Sequence, residues 1–269
     1  MIRIGIIGCG NIGSVLAKTI RKKFSRFARL AYVSDINPAQ IERLRKKIKS
    51  ASFRSVSISE LIKKSDFVIE TASVKAAEEV IPQVLEQGKD VLILSVGGIL
   101  KVKNLDRLLA KSCGRIYVPS GGIAGVDAVL AARMGQIKRV QITTRKPLRS
   151  LANAPYFLKN GLRPERIKKP TLIFQGNAAE AIENFPENVN VAVTLSLAGV
   201  GPRKTHVRVF ASPTYRHNMH EIQIEGSFGR MVSQVMNLPS RENPKTSALA
   251  IGSAIAILEK IFKRIKIGT

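Results

Sequence analysis

Gly8-Cys9-Gly10-Asn11-Ile12-Gly13 is a GxGxxG loop that lies between an apolar run starting at Ile2 and an amphipathic segment ending near Lys23. In this context the first glycine permits a tight turn, the second lets the backbone approach a pyrophosphate, and the third allows close packing of helix on strand. The N-terminus of the following helix then faces the negative charge. The pattern predicts a Rossmann dinucleotide site that includes Gly8, Gly10, Asn11, Ile12 and Gly13.

Asp35 closes the next apolar run, 22 positions after Gly13. This is near the spacing expected for an acid that hydrogen-bonds the adenosine ribose, and an acid at this position favours NAD. NADP stays open, because Asn37 and the abundant basic residues could receive a 2′-phosphate. The alternative is a glycine turn in a fold that binds no nucleotide.

Apolar strand-like runs alternate with helix-like segments through the first half of the chain. Continuous apolar strands between amphipathic helices are typical of a parallel sheet covered on both faces, so the fold class is α/β with a doubly wound N-terminal sheet. Ala72 and Ser95 follow two of these strands, at the sheet edge where open α/β folds bind ligands, and we expect both at the cofactor. Ordinary strand-end turns are the alternative.

The pattern changes near Val118, where glycine and serine gather and later strands become shorter and more alternating. We therefore expect a second, α+β domain with an antiparallel-leaning sheet. A long helix is predicted over Lys245–Lys263, with Pro244 at its start, and it returns to the first domain. The predicted domains are 1–119 plus 240–269 for the dinucleotide and 120–239 for substrate and catalysis.

The formal net charge of +25 raises the question of nucleic acid. The basic residues cluster near the expected C-terminal ends of helices, and there is no Trp to stack on bases, so the pattern argues against a nucleic-acid function. The apolar stretch Ala248–Leu258 is shorter than the ~20 residues of a membrane span, and the first apolar run leads directly into the glycine loop. We expect a cytoplasmic protein. Two cysteines are too few for a disulfide framework or a cysteine-based metal site.

Five short motifs follow one another through the second half of the chain. Together with the glycine loop they resemble the L-aspartate dehydrogenase family over essentially the full length. They are Ser120-Gly121-Gly122-Ile123-Ala124-Gly125, Thr143-Thr144-Arg145-Lys146-Pro147, Asn188-Val189-Asn190, Asn218-Met219-His220-Glu221-Ile222 and Arg241-Glu242-Asn243-Pro244-Lys245. One local departure is the order of Gly122 and Ala124, where the family resemblance leads us to expect alanine before glycine.

The resemblance implies an enzyme that oxidises L-aspartate with NAD or NADP to iminoaspartate, which hydrolyses to oxaloacetate and ammonia or feeds NAD biosynthesis. It also implies that His220 is the catalytic residue, that Ala124 and Asn190 belong to the cofactor site, and that the protein is a homodimer.

The chemistry of such a reaction also points to a histidine. The amine must lose a proton before hydride leaves the α-carbon, and a water must later attack the imine. A histidine with its ordinary pKa near 6.5 is a base near neutral pH, and the candidates are His206, His217 and His220. On one strand His217 and His220 point to opposite faces, so no metal site is predicted. We assign His206 and His217 packing or surface roles.

A dicarboxylate substrate needs positive groups or backbone donors. The candidates are Ser120, Arg145, Lys146, Arg241 and Lys245. Each of the four cations could equally be a surface charge, whereas Ser120 and the following glycines would offer donors where the two domains join.

Two alternative functions remain open from the sequence alone. One is a related Rossmann reductase of the homoserine dehydrogenase or dihydrodipicolinate reductase type, which the fold cannot separate from the first hypothesis. The other is a non-catalytic protein that senses NAD. The segment Asn218-Met219-His220-Glu221-Ile222, together with loss of activity in His220→Ala, distinguishes the first alternative, and a sensor would bind the cofactor without turnover.

Overall fold

Six parallel strands form the first sheet of the chain. The computed structural model describes residues 1–48, 52–240 and 243–268. The strands are β1 (Ile2–Ile7), β2 (Ala28–Ser34), β3 (Arg54–Ser55), β4 (Phe67–Glu70), β5 (Asp90–Ile93) and β6 (Ile116–Tyr117). Their order, β3-β2-β1-β4-β5-β6, is that of a doubly wound dinucleotide fold with its switch point between β1 and β4. The predicted parallel α/β sheet is confirmed.

Five α-helices lie between these strands in the chain, and the first four bury apolar residues. They are α1 (Asn11–Lys23), α2 (Pro38–Ile48), α3 (Ile58–Lys64), α4 (Val74–Glu86) and α5 (Leu105–Lys111), with a 3-10 helix at Val96–Lys101. In α1, Leu16, Ala17 and Ile20 are buried, while Arg21–Lys23 occupy the last turn, where the helix dipole favours cations. The basic cluster predicted at this helix end is confirmed.

The second part of the chain is built around a mixed sheet of five strands. Its elements are α6 (Val126–Ala132), β7 (Ile137–Pro147), α7 (Pro155–Lys159), β8 (Thr171–Asn177), α8 (Ala178–Asn184), α9 (Asn190–Ala198), β9 (Thr205–Ser212), β10 (Asn218–Gly226) and β11 (Gly229–Asn237), with 3-10 helices at Leu148–Ser150 and Pro164–Arg166. The order is β11-β10-β7-β9-β8. Only the β7–β9 pair is parallel, so the expected antiparallel-leaning α+β domain is confirmed.

Strand register fixes which residues of this sheet share a face. His220 lies opposite Thr144, and Asn218 lies opposite Asn237. Since side chains alternate along a strand, Lys146, two residues after Thr144, points to that same face. The face continues into a buried apolar layer at Ile142 and Ile222.

The C-terminal segment begins with a short hairpin. β12 (Pro239–Ser240) pairs with β13 (Asn243–Ser247), and α10 (Ala248–Phe262) follows. The helix predicted from Lys245 is therefore wrong at its start: residues 245–247 are strand, and Pro244 lies in that strand. In the rest of α10, Ala254 and Leu258 join the core of the parallel sheet, as the predicted return helix requires.

The chain divides into two units by its internal contacts. The first unit comprises Met1–Pro119 and Ile251–Lys266, and the second comprises Ser120–Ala250 and residues 267–268. The hairpin β12–β13 thus lies with the second unit, whereas the domain prediction placed residues 240–269 with the first.

Candidate functional site

The three glycines of the loop in the first unit differ in the space around them. Gly8 has φ +93°, and a Cβ there would lie 2.8 Å from the Ala72 nitrogen, while a Cβ on Gly13 would overlap the Gly8 carbonyl oxygen. Around Gly10, by contrast, a Cβ would meet no heavy atom within 4 Å. The loop therefore has two glycines that packing requires and one whose outer side is free for a ligand to approach.

The N-terminus of α1 has polar groups without partners. Its N-cap is Gly10, which supplies no side-chain hydrogen bond. Both polar atoms of the Asn11 side chain are buried and have no hydrogen-bond partner. Buried polar atoms in this state are rare in folded proteins, so their presence beside an open helix N-terminus fits a bound phosphate group.

Asp35, at the end of β2, is anchored to this loop. Its Oδ2 accepts a hydrogen bond from the Cys9 nitrogen at 2.6 Å, and its Oδ1 accepts one from the Asn37 nitrogen at 2.8 Å. A carboxylate accepts more than two hydrogen bonds, so capacity for a ribose hydroxyl remains. Burial, together with the nearby Asp35 charge, raises the pKa of the Cys9 thiol to about 12.

Glu70 is a buried carboxylate that the sequence did not single out. It ends β4, its side chain is fully buried, and it accepts hydrogen bonds from the backbone nitrogens of Ala72 and Ser73 at 2.7 and 3.0 Å. It also accepts from the nitrogen and the hydroxyl of Ser95, both at 3.0 Å. Burial raises the pKa of Glu70, while these hydrogen bonds act against that rise. Glu70 therefore joins the carboxyl ends of β4 and β5, the two turns predicted to face the cofactor.

His220 lies in the second unit with one ring nitrogen fixed. Its Nδ1 is 3.0 Å from Oγ1 of Thr144, the residue opposite it on β7. The side chain is buried, and burial together with the positive charge of Lys146 lowers the pKa of His220 to about 3. The imidazole is thus neutral at physiological pH, in contrast to the ordinary pKa assumed from the sequence.

Lys146 follows on the same face of β7 and is only 7% exposed. Burial lowers the pKa of its ammonium group to about 8. It lines a cavity of about 800 Å³ in the second unit, together with the exposed cations Arg149 and Arg216 and one acid, Glu187. This cavity is large enough for a small organic ligand and has positive groups at its base and rim.

Three residues that line this cavity carry a buried polar atom without a hydrogen-bond partner. They are His217 at Nδ1, Asn218 at Oδ1 and Asn237 at Oδ1. The amide nitrogen of Asn237 is committed, because it donates to the Gly122 carbonyl at 2.8 Å. The cavity therefore combines cations with buried polar atoms that lack a partner.

The structure places His217 differently from the strand position predicted from the sequence. The sequence places it on a strand with His220, pointing to the opposite face, in a packing or surface role. The strand instead begins at Asn218, and His217 precedes it and lines the cavity. Because His217 is not part of the strand, the alternation of side chains along β10 does not determine where it points.

Arg145 is corrected as a candidate for substrate binding. As the neighbour of Lys146 on β7, it points to the other face of the sheet, where its guanidinium lies 3.3 Å from Glu221 and 5.8 Å from the Phe210 ring centroid. Its charge is already paired, and it is not among the residues that line the cavity.

The other predicted site residues are distributed around the second unit. Ser120, the first residue of the second unit, is half-buried and does not line the cavity. The Ala124 carbonyl accepts a hydrogen bond from the Ser233 hydroxyl at 3.1 Å. Asn190 is the first residue of α9. Arg241 and the side chain of Lys245 lie outside the described residues.

Neither a metal site nor a membrane span is found in the part of the chain that the structure describes. No group of three His, Cys, Asp or Glu side chains within it is placed to hold a metal ion. None of its helices is both long and apolar enough to cross a bilayer.

Comparison with known proteins gives matches over both halves of the chain. Residues 127–261 match the family described as "Aspartate dehydrogenase, C-terminal", and residues 8–119 match "Homoserine dehydrogenase, NAD binding domain". The chain is 46% identical to the L-aspartate dehydrogenase of Methanosarcina barkeri and 42% identical to that of Methanosarcina mazei, in both cases over 100% of each chain.

Among solved structures, the chain is similar to an aspartate dehydrogenase from Thermotoga maritima. The TM-score is 0.74, with 26% identity over 100% of both chains. The similarity thus includes the second unit, which holds His220 and the cavity, as well as the widely shared first unit.

Proposed function

This chain belongs to the L-aspartate dehydrogenase family, and we propose how its residues carry out the NAD(P)-dependent oxidation of L-aspartate to iminoaspartate, and thus to oxaloacetate and ammonia. Sequence similarity favours this activity over that of homoserine dehydrogenase. The relatives at 42–46% identity over the full chain are L-aspartate dehydrogenases, and the homoserine dehydrogenase family model matches only residues 8–119. A solved homoserine dehydrogenase covers 96% of this chain but at 14% identity, which shows a shared fold alone.

The cofactor is a pyridine nucleotide, and we assign it to the first unit. Gly8 and Gly13 allow the tight turn and the close packing behind it, and Gly10 gives the pyrophosphate access to the backbone. Asn11 and Ile12 begin the helix behind the pyrophosphate, and Asp35 receives the adenosine ribose. Ala72 and Ser95, held by Glu70, complete the site on this side. In the second unit we retain Ala124 and Asn190 as cofactor contacts. When bound, the nicotinamide supplies the acceptor for the hydride.

The two carboxylates of L-aspartate are assigned to the cations of the cavity. Lys146, at its base, receives one carboxylate, and the exposed guanidinium groups of Arg149 and Arg216 receive the other. Ser120 and Lys245 remain proposed contacts.

His220 is the proton-transfer group in this proposal. Thr144 fixes the ring through Nδ1 and leaves Nε2 to exchange a proton with the substrate. In the free protein burial, and after it the charge of Lys146, hold the pKa of His220 down. A bound carboxylate offsets that charge, so substrate binding raises the proton affinity of the imidazole when the amine must be deprotonated. The imidazolium then passes that proton to solvent, and the neutral ring takes a proton from the water that attacks the imine.

The observation that carries this proposal is the common sheet face of His220, Thr144 and Lys146 beside the cationic cavity. The test is absorbance of the reduced nicotinamide with L-aspartate and NAD or NADP, and in reverse with oxaloacetate and ammonia. We expect turnover in the wild type and a loss of at least about a hundredfold in His220→Ala, with cofactor binding retained. Equal activity in both proteins would contradict the role of His220.

Other outcomes distinguish the competing hypotheses. Activity on homoserine without activity on L-aspartate would overturn the substrate assignment. Cofactor binding without turnover on any substrate would favour a sensor.

We also propose a homodimer in the cytoplasm that feeds NAD biosynthesis. The dimer is supported by Val232 and Met236, which are 55% and 60% exposed on the edge strand β11. Sedimentation of the wild type and of Val232→Lys tests it, with a monomeric wild type as the contrary result.

A further inference from the structure

Asn218 and Asn237 form a pair at the ends of two neighbouring strands. They lie directly opposite each other in the antiparallel register of β10 and β11. Opposite residues on an antiparallel pair have Cβ atoms about 4.5–5.5 Å apart, so the two side chains share one small region. Both residues line the cationic cavity of the second unit.

The unsatisfied atoms of this pair are both acceptors. Asn237 is 3% exposed, and Oδ1 of each asparagine is buried without a hydrogen-bond partner. A buried acceptor without a donor is unfavourable, which favours a ligand that supplies N–H groups at this place.

Asn237 cannot exchange its acceptor for a donor by rotating its amide. Its Nδ2 donates to the Gly122 carbonyl, and a carbonyl oxygen only accepts. A flipped amide would place Oδ1 against that carbonyl and lose the hydrogen bond. Gly122 also leaves little room, since a Cβ there would lie 3.1 Å from Nδ2 and 3.2 Å from Oδ1. The backbone of the Ser-Gly-Gly loop thus fixes Oδ1 as an acceptor.

The rest of the cavity suits the other groups of an amino dicarboxylate. Lys146, Arg149 and Arg216 have only donors, which match carboxylates and repel an ammonium group. Asn218 lies two residues before His220 on the same face of β10, so an amine received there is on the side of the sheet that carries the proton-transfer group.

We propose that Asn218 and Asn237 form the subsite that receives the α-amino group of the substrate, and that Asn237 determines the preference for an amino acid over a dicarboxylate without nitrogen. This inference rests on the proposed function, since it assigns the amine of the same substrate. In the reverse direction the pair receives ammonia.

The test separates recognition of nitrogen from recognition of carboxylates. In Asn237→Ala we expect the KM for L-aspartate and for ammonia to rise about ten- to a hundredfold, as for a lost hydrogen bond to a buried group. The inhibition constant of succinate, which has both carboxylates but no nitrogen, stays within about twofold of the wild-type value.

Asn188→Ala is the matched control. Asn188 lines the same cavity, but its amide nitrogen donates to the Ser150 carbonyl at 3.0 Å. We expect this variant to change the constants for L-aspartate and succinate by the same factor.

If Asn237→Ala does not fold, Gly122→Ala displaces the same amide by a few tenths of an ångström and should raise the KM for ammonia without changing succinate inhibition. A variant that weakens succinate as much as L-aspartate, or that changes neither, would overturn the subsite while leaving wild-type turnover intact. Absence of L-aspartate turnover in the wild type would overturn the proposed function and the subsite with it.

Discussion

Lys146 is a buried lysine whose charge should cost stability. Burial lowers its pKa from 10.5 to about 8, which corresponds to about 3 kcal/mol. Because the folded-state pKa is the lower one, stability is greatest above pH 10.5, falls as the pH drops towards 8 and stays reduced at pH 7. We predict that Lys146→Met raises the free energy of unfolding at pH 7 by up to about 3 kcal/mol and abolishes turnover of L-aspartate.

Urea unfolding at pH 7 and at pH 11 measures this effect, because the advantage of the variant should shrink at the higher pH. Lys138→Met changes an exposed lysine on the same strand and should leave stability nearly unchanged. A Lys146→Met protein less stable than the wild type at pH 7 would show that the ammonium has stabilising partners.

Asp35 should set the choice between NAD and NADP. Its carboxylate sits beside the glycine loop, and a 2′-phosphate on the ribose would bring two negative charges together. We predict that Asp35→Ser raises the ratio of kcat/KM for NADP over NAD by about ten- to a hundredfold. Initial rates with each cofactor measure the ratio, and Asp106→Ser, an exposed acid on α5, serves as the control. An unchanged ratio in Asp35→Ser would place the ribose elsewhere.

At the scale of elements, Glu70 holds two strand ends together. A glutamine at this position would direct an N–H towards groups that are themselves donors. We predict that Glu70→Gln lowers the free energy of unfolding by about 1–3 kcal/mol and raises the KM for the cofactor more than it changes kcat. Ser95→Ala removes only the hydroxyl donor and should give a smaller effect of the same kind. A variant with an unchanged cofactor KM would limit Glu70 to a folding role.

The first βαβ unit could be predicted from the sequence because its signals are local. The strand, the glycine loop and α1 follow each other within 22 residues from Ile2 to Lys23, and packing requires glycine at Gly8 and Gly13. The start of α10 could not be predicted equally well. Residues 245–247 continue into an apolar helical segment, and what makes them a strand is pairing with β12, which is itself only two residues long.

The candidate site was harder to predict because it depends on which face of a strand a residue occupies. Arg145 and Lys146 are equivalent in the sequence, yet one pairs with Glu221 and the other lines the cavity. From the sequence alone this strand is predicted over Val140–Thr144, before either residue, so the pattern does not say which face Arg145 and Lys146 occupy. Glu70 was missed for a related reason, since its partner Ser95 is 25 residues away, although an acid ending an apolar strand was a usable signal.

At the scale of the whole molecule, the net charge of +25 creates a field that attracts anions. We predict that kcat/KM for oxaloacetate, a dianion, falls severalfold as NaCl is raised to about 0.5 M, where the Debye length is only a few ångströms. Ammonium carries the opposite charge, so its kcat/KM should not fall in the same titration.

Both constants come from one set of initial rates in the reductive direction, and the ammonium data act as the internal control for effects of salt on folding or on the chemical step. Equal declines for the two substrates would show that salt acts on the enzyme and not on the encounter with oxaloacetate.

The two cysteines lie in contrasting surroundings. Cys9 is 1% exposed with a pKa of about 12, whereas Cys113 is exposed. Alkylating reagents attack the thiolate, so at neutral pH a maleimide dye should attach to the native chain at Cys113 alone and to both cysteines after denaturation. The stoichiometry of dye per chain then counts folded molecules in any preparation, and a fluorophore can be placed on the enzyme at a single defined position without engineering.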